Sequence, residues 1–329
     1  VSKPSELTPL STLALAPCFE HLPAGVVNLL AGAGEVGARI VRHEGVDCVA
    51  FTGSIETGKR IALACAERVA RINLEMGGKD PFIVCADVAD DVAVAAKGGA
   101  WAAYLNAGQV CTSAERFYVQ RELYDDFLQA FVDHARELRV GDPLDPDTDV
   151  GPLVSAPQRA KVEQQVEAAV AAGAERVVGG DRAGHERGHY FSPAVVTGAP
   201  ASTDLLREET FGPVAPIVPV SSLDEAIELA NSTPFGLGAN VYTRDLETAV
   251  RCLREIRAGT VWINDPLTDN DAGPFGGFKQ SGFGRELGQE GLEAFQETKH
   301  VHIETKIAPK EWWYPYAPGD AAPPSGAGA

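Results

Sequence analysis

The sequence predicts an α/β protein built on parallel sheet, and three observations lead there. Short apolar runs alternate with helix-length segments, at a spacing that suits strand–crossover–strand units. Glycine clusters follow two of the early runs, at Gly32-Ala33-Gly34-Glu35-Val36-Gly37 and at Thr52-Gly53-Ser54. The chain has 329 residues, 45% hydrophobic and 22% charged, enough for one large or two ordinary domains with a real core.

Taken in order, residues 26–30 read as a strand, followed by glycines and a helix to about residue 43. Residues 48–51 form a second strand, with a helix after it through residue 70. Residues 72–74 and 82–85 are further strands. An alanine-rich helix over 89–105 stops at Asn106-Ala107-Gly108. The strand 116–119 follows, then helices over 123–138 and 156–172, the latter expected as a solvated surface element. Strands at 214–220, 239–242 and 260–263 alternate with helices at 224–231 and 247–256. The Pro/Gly/Ala/Ser-rich tail, 317–329, is expected to be disordered.

Charge and cysteine usage narrow the function. A formal net charge of −18 argues against nucleic-acid binding, because a polyanion would be repelled. No apolar run is long enough for a membrane span and no secretory signal is visible, so no membrane role is expected. The cysteines, Cys18, Cys48, Cys65, Cys85, Cys111 and Cys252, lack CxxC or metal-ligand spacing. That pattern predicts no metal site, no disulfide framework and a reducing, cytoplasmic setting.

Two residues could carry chemistry. Cys111 sits in a turn between a helix and a strand, where free backbone N–H groups can lower a thiol's pKa and hold an oxyanion. A structural cysteine is the plainer reading of that neighbourhood. Glu75 ends an apolar strand before Gly77-Gly78, a good position for a general base. The plainer reading there is an ion pair with Lys79 or Arg71. The run from Gly32 to Gly37 fits the dinucleotide fingerprint GxGxxG, and the turn from Phe51 to Gly58 opens a helix that could face phosphate. Either could be a tight turn only.

Their order along the chain alters the balance. Lys3-Pro4-Ser5-Glu6, the Phe51-to-Gly58 turn, Leu74-Glu75-Met76-Gly77-Gly78-Lys79 and Gly108-Gln109-Val110-Cys111 come in succession. Glu208-Glu209-Thr210-Phe211-Gly212-Pro213-Val214 and Pro274-Phe275-Gly276-Gly277 follow. This set, from Lys3 to about His302, resembles the aldehyde dehydrogenase superfamily, in its hydrolytic NAD(P)-dependent branch.

The resemblance implies a Rossmann-like cofactor domain beside an α/β catalytic domain. Residues 1–77 would be the C-terminal part of the former and 78–276 the latter. Residues 277–310 would return to the cofactor domain and supply an oligomerisation strand at 301–303, and 311–329 would be an aromatic segment and tail. Cys111 would add to an aldehyde, the adduct would pass hydride to the nicotinamide, and Glu75 would activate the water that cleaves the thioester. Lys3 and Glu6 would flank the adenosine ribose, favouring NAD, with NADP as the alternative. Gly53 and Ser54 would bind pyrophosphate, leaving the Gly32-to-Gly37 run as a sheet turn. Gly77, Glu209 and Phe211 would hold the nicotinamide ribose and ring. Tyr104, Leu105, Val110, Thr112 and the loop 266–275, with Phe275, would line a substrate tunnel. Asp269 and Asp271 nearby would suit an aliphatic, amino- or hydroxy-substituted aldehyde.

Such enzymes are homodimers or homotetramers, and Trp312-Trp313-Tyr314 would suit a subunit contact or local packing. Their long N-terminal region, with an oxyanion-hole asparagine, would lie upstream of Lys3, and the present chain, which starts at Val1, is expected to turn over poorly by itself. A homologue that binds without catalysing is the second reading. A thiol acyltransferase is the third, disfavoured because no histidine lies near these motifs.

Overall fold

Residues 1–315 are described by the structure, a computed structural model. The strands are β1 (Cys48–Gly53), β2 (Arg71–Met76), β3 (Asp80–Val84), β4 (Ala114–Gln120), β5 (Glu175–Val178), β6 (Ala194–Thr197), β7 (Val214–Val220), β8 (Gly238–Tyr242), β9 (Thr260–Ile263) and β10 (Gly282–Phe283). The helices are α1 (Pro9–Leu13), α2 (Gly34–Arg42), α3 (Ile55–Ala66), α4 (Val92–Tyr104), α5 (Tyr124–Glu137), α6 (Ala156–Ala171), α7 (Asp204–Arg207), α8 (Leu223–Asn231), α9 (Leu246–Glu255) and α10 (Gly288–Glu293).

Two sheets divide the strands. The first has the order β1-β2-β10, with β1 parallel and β10 antiparallel to β2. The second has the order β5-β6-β7-β4-β3-β8-β9, all parallel except the antiparallel edge strand β5. A parallel sheet must be covered on both faces, and strand alternation here divides the core accordingly. Phe82, Val84, Phe117 and Val119 pack under α4 and α5, with Phe127 and Phe131. Ile83, Cys85 and Tyr118 face α8 and α9, meeting Ala226, Ile227 and Cys252.

Three elements depart from the sequence expectation. Residues 26–30 form no strand: only Ser2 bridges to Leu29, and Val26, Val27 and Leu30 stay exposed. The helix expected through residue 70 ends at Ala66, because Val69 turns left-handed (φ 56°) and Ala70 N–H closes onto the Cys65 carbonyl. Helix α6 is solvated along one face only. Ser155 caps it by accepting from Gln158 N–H, and Val162, Val166 and Ala169 are buried with Leu153, Phe191 and Leu205.

Residues 1–295 make one compact unit and the chain from Gln296 onward a second. Among the described residues of the second unit there is no helix or strand, and Glu304 accepts from Lys306 N–H and Lys310 Nζ. Within this chain residues 301–303 pair with no strand, and Val301 and Ile303 are exposed. The expectation for 317–329 lies outside the described residues.

The connection from β2 to β3 passes directly from the first sheet to the second through Gly77-Gly78-Lys79. Consequently the C-terminal end of β2 lies beside the entries to β3, β4 and β7, where Lys79 meets Glu115 and Gly77 meets Glu209. Open parallel sheets ordinarily bind ligands at strand C-termini. In the first sheet those ends are Gly53 and Met76, and they lie on the side from which the strands of the second sheet begin.

Candidate active site

Glu75 lies in the middle of the first sheet, in register with Thr52 of β1 and Gly282 of β10. It is 4% exposed, and neither carboxylate oxygen has a hydrogen-bond partner. Burial, and then the charge of Glu286, push its pKa up to about 8, against the pull of Arg285. The simple ion pair with Lys79 does not form. Lys79 turns away and donates to Glu115 Oε2 at 2.7 Å.

Cys111 follows a tight reversal at the end of α4. Asn106 (φ 52°), Ala107 (φ 58°) and Gly108 (φ 70°) are successive left-handed residues, a strained run for the two that carry a Cβ. The turn is fastened by Gln109, whose Oε1 accepts from Val154 N–H at 2.8 Å and whose Nε2 donates to the Asn106 carbonyl at 3.0 Å. Gly108 lies against Gly212, so this turn and the Glu209-to-Pro213 loop are packed backbone to backbone.

The Cys111 thiol is partly exposed, and its sulfur is served by the backbone N–H groups of Thr112 and of Cys111 itself. Those donors do not produce the low pKa expected from the turn. Burial, followed by the charges of Asp80 and Glu75, outweighs them and pushes the thiol up to about 12. The resting sulfur is therefore a thiol, and Glu75 is near enough to act on it electrostatically.

The segment Glu209-Thr210-Phe211 is held from both sides. Glu115 Oε2 accepts from Thr210 N–H and Oε1 from Phe211 N–H, each at 2.7 Å. Gln158 Nε2 donates to the carbonyls of Thr210 (3.0 Å) and Phe211 (2.7 Å). The Glu209 carboxylate rests on Gly77, and burial together with Glu115 raises its pKa to about 7, opposed by Lys161, Lys79 and the Gly78 N–H. Ser281, fully buried, donates to the Gly77 carbonyl at 2.8 Å and fixes that strand end.

Gly53 and Ser54 are exposed at the start of α3. The Ser54 hydroxyl accepts from Thr57 N–H, and Gly58 sits so close to the Met76 sulfur that the helix start is held beside the end of β2. Lys3 donates to the carbonyls of Pro4 (2.7 Å) and Gly32 (2.9 Å) and lies 3.9 Å from Glu6. Lys3 thus belongs to the glycine turn that opens α2, which is not a sheet turn as expected. The exposed start of α3 is of the kind that can meet a phosphate, whereas the buried Glu209 carboxyl suits hydroxyl donors rather than phosphate.

Of the expected tunnel residues, Leu105 and Val110 are partly exposed near Cys111, Thr112 is buried, and Phe275 is bridged to Glu286. Tyr104 is not a lining residue. It is 2% exposed, packs edge-on against Phe131, and its hydroxyl donates to the Ala194 carbonyl at 3.0 Å. The α-helical phase explains this: Tyr104 is the last residue of α4 and shares the core face of Ala96, Ala100 and Ala103.

Glu115, Gln158 and Ser281 were not read as site residues in the sequence. Glu115 had a signal: a carboxylate inside the apolar strand Ala114-Glu115-Arg116-Phe117-Tyr118-Val119 must find a buried partner. Gln158 and Ser281 had none.

Fold and site together define a thiol and a carboxylate set between two α/β sheets, beside a helix start suited to phosphate. The aldehyde dehydrogenase family model matches residues 1–301, and the chain belongs to that family. It is 41% identical over 319 residues to betaine aldehyde dehydrogenase of Bacillus subtilis, covering 95% of this chain and 65% of the relative. It is 40% identical to the peroxisomal aminoaldehyde dehydrogenase 1 of Malus domestica, covering 95% of this chain and 63% of that one. Among solved structures, betaine aldehyde dehydrogenase from Staphylococcus aureus in complex with NAD+ superposes with a TM-score of 0.89 at 40% identity, over 94% of this chain and 62% of that chain. An NAD-dependent aldehyde dehydrogenase from Sinorhizobium meliloti gives a TM-score of 0.91 at 40% identity, over 95% of this chain and 62% of that chain. The chain thus spans under two thirds of the length of these relatives.

Proposed function

We propose that the protein oxidises an aldehyde to its carboxylic acid with NAD as hydride acceptor, through a covalent intermediate on Cys111. The observation that carries this is the pairing of a partly exposed thiol with a buried, hydrogen-bond-free carboxylate, Glu75, whose charge acts on it. Cys111 gives up its proton to water as its sulfur bonds to the carbonyl carbon, and the C=O π pair passes to the oxygen. The N–H groups of Cys111 and Thr112 steady the oxygen that gains charge. Bound NAD would supply the acceptor for the hydride that leaves this carbon. Glu75 then takes a proton from water, the hydroxyl adds to the thioester, and Cys111 departs as the leaving group. Gly53 and Ser54 would meet the pyrophosphate, Lys3 and Glu6 the adenosine ribose, and Gly77, Glu209 and Phe211 the nicotinamide side.

The substrate class proposed is a cationic aliphatic aldehyde, of the betaine aldehyde or aminoaldehyde kind. Its support is the names of the relatives and the exposed carboxylates Asp269 and Asp271 on the loop after β9. A homodimer or homotetramer in the cytoplasm completes the reading, supported by exposed Trp312, Trp313 and Tyr314 and by free cysteines throughout the described residues. The test is NAD reduction by the protein across an aldehyde panel, with Cys111→Ala as control. Turnover of betaine aldehyde and aminoaldehydes that vanishes in the variant is expected; preference for bulky aromatic aldehydes sinks the substrate assignment, and Cys111-independent turnover sinks the mechanism.

A further inference from the structure

Glu115 stands at the start of β4, four positions after Cys111, and is 3% exposed. A buried carboxylate needs compensation from nearly all its lone pairs. Here the compensation comes from one cation, Lys79 Nζ, and from two consecutive backbone N–H groups, those of Thr210 and Phe211. Lys79 also donates to Thr210 Oγ1 at 2.9 Å, which locks the same residue a second time. Phe211 is a non-glycine residue at φ 53°, a conformation that survives only where its surroundings impose it.

We infer that Glu115 is a positioning residue for the cofactor: anchored by Lys79, it fixes the backbone of Thr210 and Phe211 and so presents Glu209 and Phe211 to the nicotinamide ribose and ring. This inference rests on the proposed function. A purely structural ion pair would satisfy its carboxylate with side chains, and such pairs can be exchanged for apolar residues without loss of stability. Glu115 instead spends both oxygens on the loop backbone, while Gln158 satisfies the two carbonyls of the same residues. Glu209 is thereby left with its carboxylate against Gly77, at the end of the strand that carries Glu75. The strand entry that holds the nucleophile also holds this clamp, so thiol and cofactor loop share one anchor.

The experiment compares Glu115→Gln and the double variant Glu115→Gln, Lys79→Met with the unaltered protein. Glutamine keeps the shape but offers one acceptor where two are needed, and it leaves the Lys79 cation unpaired. Adding Lys79→Met removes that cation without restoring the second acceptor. The expected result is faster amide hydrogen exchange over residues 208–213 in both variants. NAD affinity, read by fluorescence titration, falls roughly ten- to hundredfold in both, the size of a lost hydrogen bond to a charged group. The KM for aldehyde and the rate of Cys111 alkylation by iodoacetamide stay within about twofold, and thermal stability returns in the double variant while NAD affinity does not. A folded variant with unchanged exchange over 208–213, or with unaltered NAD affinity, overturns the inference, as does a double variant that recovers both stability and affinity. Failure of the unaltered protein to bind NAD overturns the proposed function as well, which separates the two outcomes.

Discussion

The carboxylate of Glu209 lies directly on the Cα of Gly77: a Cβ added to that glycine would stand 2.1 Å from Oε1. Gly77 follows β2, and Glu209 precedes β7, so the contact joins the two sheets. The obstacle is the end of a flexible side chain, which can swing aside. Gly77→Ala is therefore expected to fold with a stability loss of about 1 kcal/mol or less, while the KM for NAD rises by about tenfold as Glu209 is displaced. Thermal melting and steady-state kinetics with varied NAD check this; an unchanged KM would show that Glu209 plays no part in cofactor binding.

Gly108 gives the opposite case. Its added Cβ would meet the Gly212 carbonyl at 2.3 Å, and its φ of 70° disfavours any side chain. Backbone cannot rotate out of the way. Gly108→Ala should cost roughly 2–4 kcal/mol through overpacking and left-handed strain. It should also move Cys111, so kcat falls at saturating NAD and aldehyde alike. Urea denaturation with kinetics on the remaining folded fraction measures both losses.

Much of this site was legible in the sequence because its parts are local. The strand Ile72-Asn73-Leu74, the Gly77-Gly78 turn and the helix start at Ser54 follow from apolar runs, glycines and a capping residue, each visible within a few positions. The strands β5, β6 and β10 were not legible. β5 and β6 are four residues each, and β10 is a Gly-Phe pair made a strand only by lying against Glu75 and Leu74. The same limit applies to chemistry. Glu115 meets Thr210 across 95 positions of sequence, and the height of the Cys111 pKa depends on burial first and then on Asp80 and Glu75 beside it. Neither can be read from spacing. Tyr104 shows the reverse error, since adjacency to the cysteine motif suggested a tunnel while the phase of α4 turned the ring into the core.

Tyr104→Phe tests that reassignment. The ring packs among Phe131 and the alanines of α4, and only the hydroxyl's bond to the Ala194 carbonyl would be lost. A stability decrease of about 1 kcal/mol is expected, with KM and kcat for every aldehyde unchanged. A selective change in KM for one aldehyde would return Tyr104 to the pocket.

Glu75 links pH to both stability and turnover. Its carboxyl is raised from an ordinary 4.5 to about 8, chiefly by burial. Between those values the folded state keeps a proton that the unfolded chain releases, so this group's contribution to stability falls as pH rises through the window and is fully lost above about 8. Glu75→Gln is neutral throughout. It should be more stable than the parent by roughly 1–3 kcal/mol near pH 9, the cost of an unsatisfied buried carboxylate, with the difference closing near pH 5. Turnover moves the other way. The ionised base accumulates as pH climbs through about 8, so steady-state aldehyde oxidation should rise over the same range and level off above it. In Glu75→Gln, a single burst of NADH equal to the enzyme present should be followed by little further turnover, because the thioester forms but is not hydrolysed. Stopped-flow absorbance across about pH 6 to 9 reads both phases. A parent rate that is flat over that range, or a variant that sustains steady turnover, would remove Glu75 from the role of base.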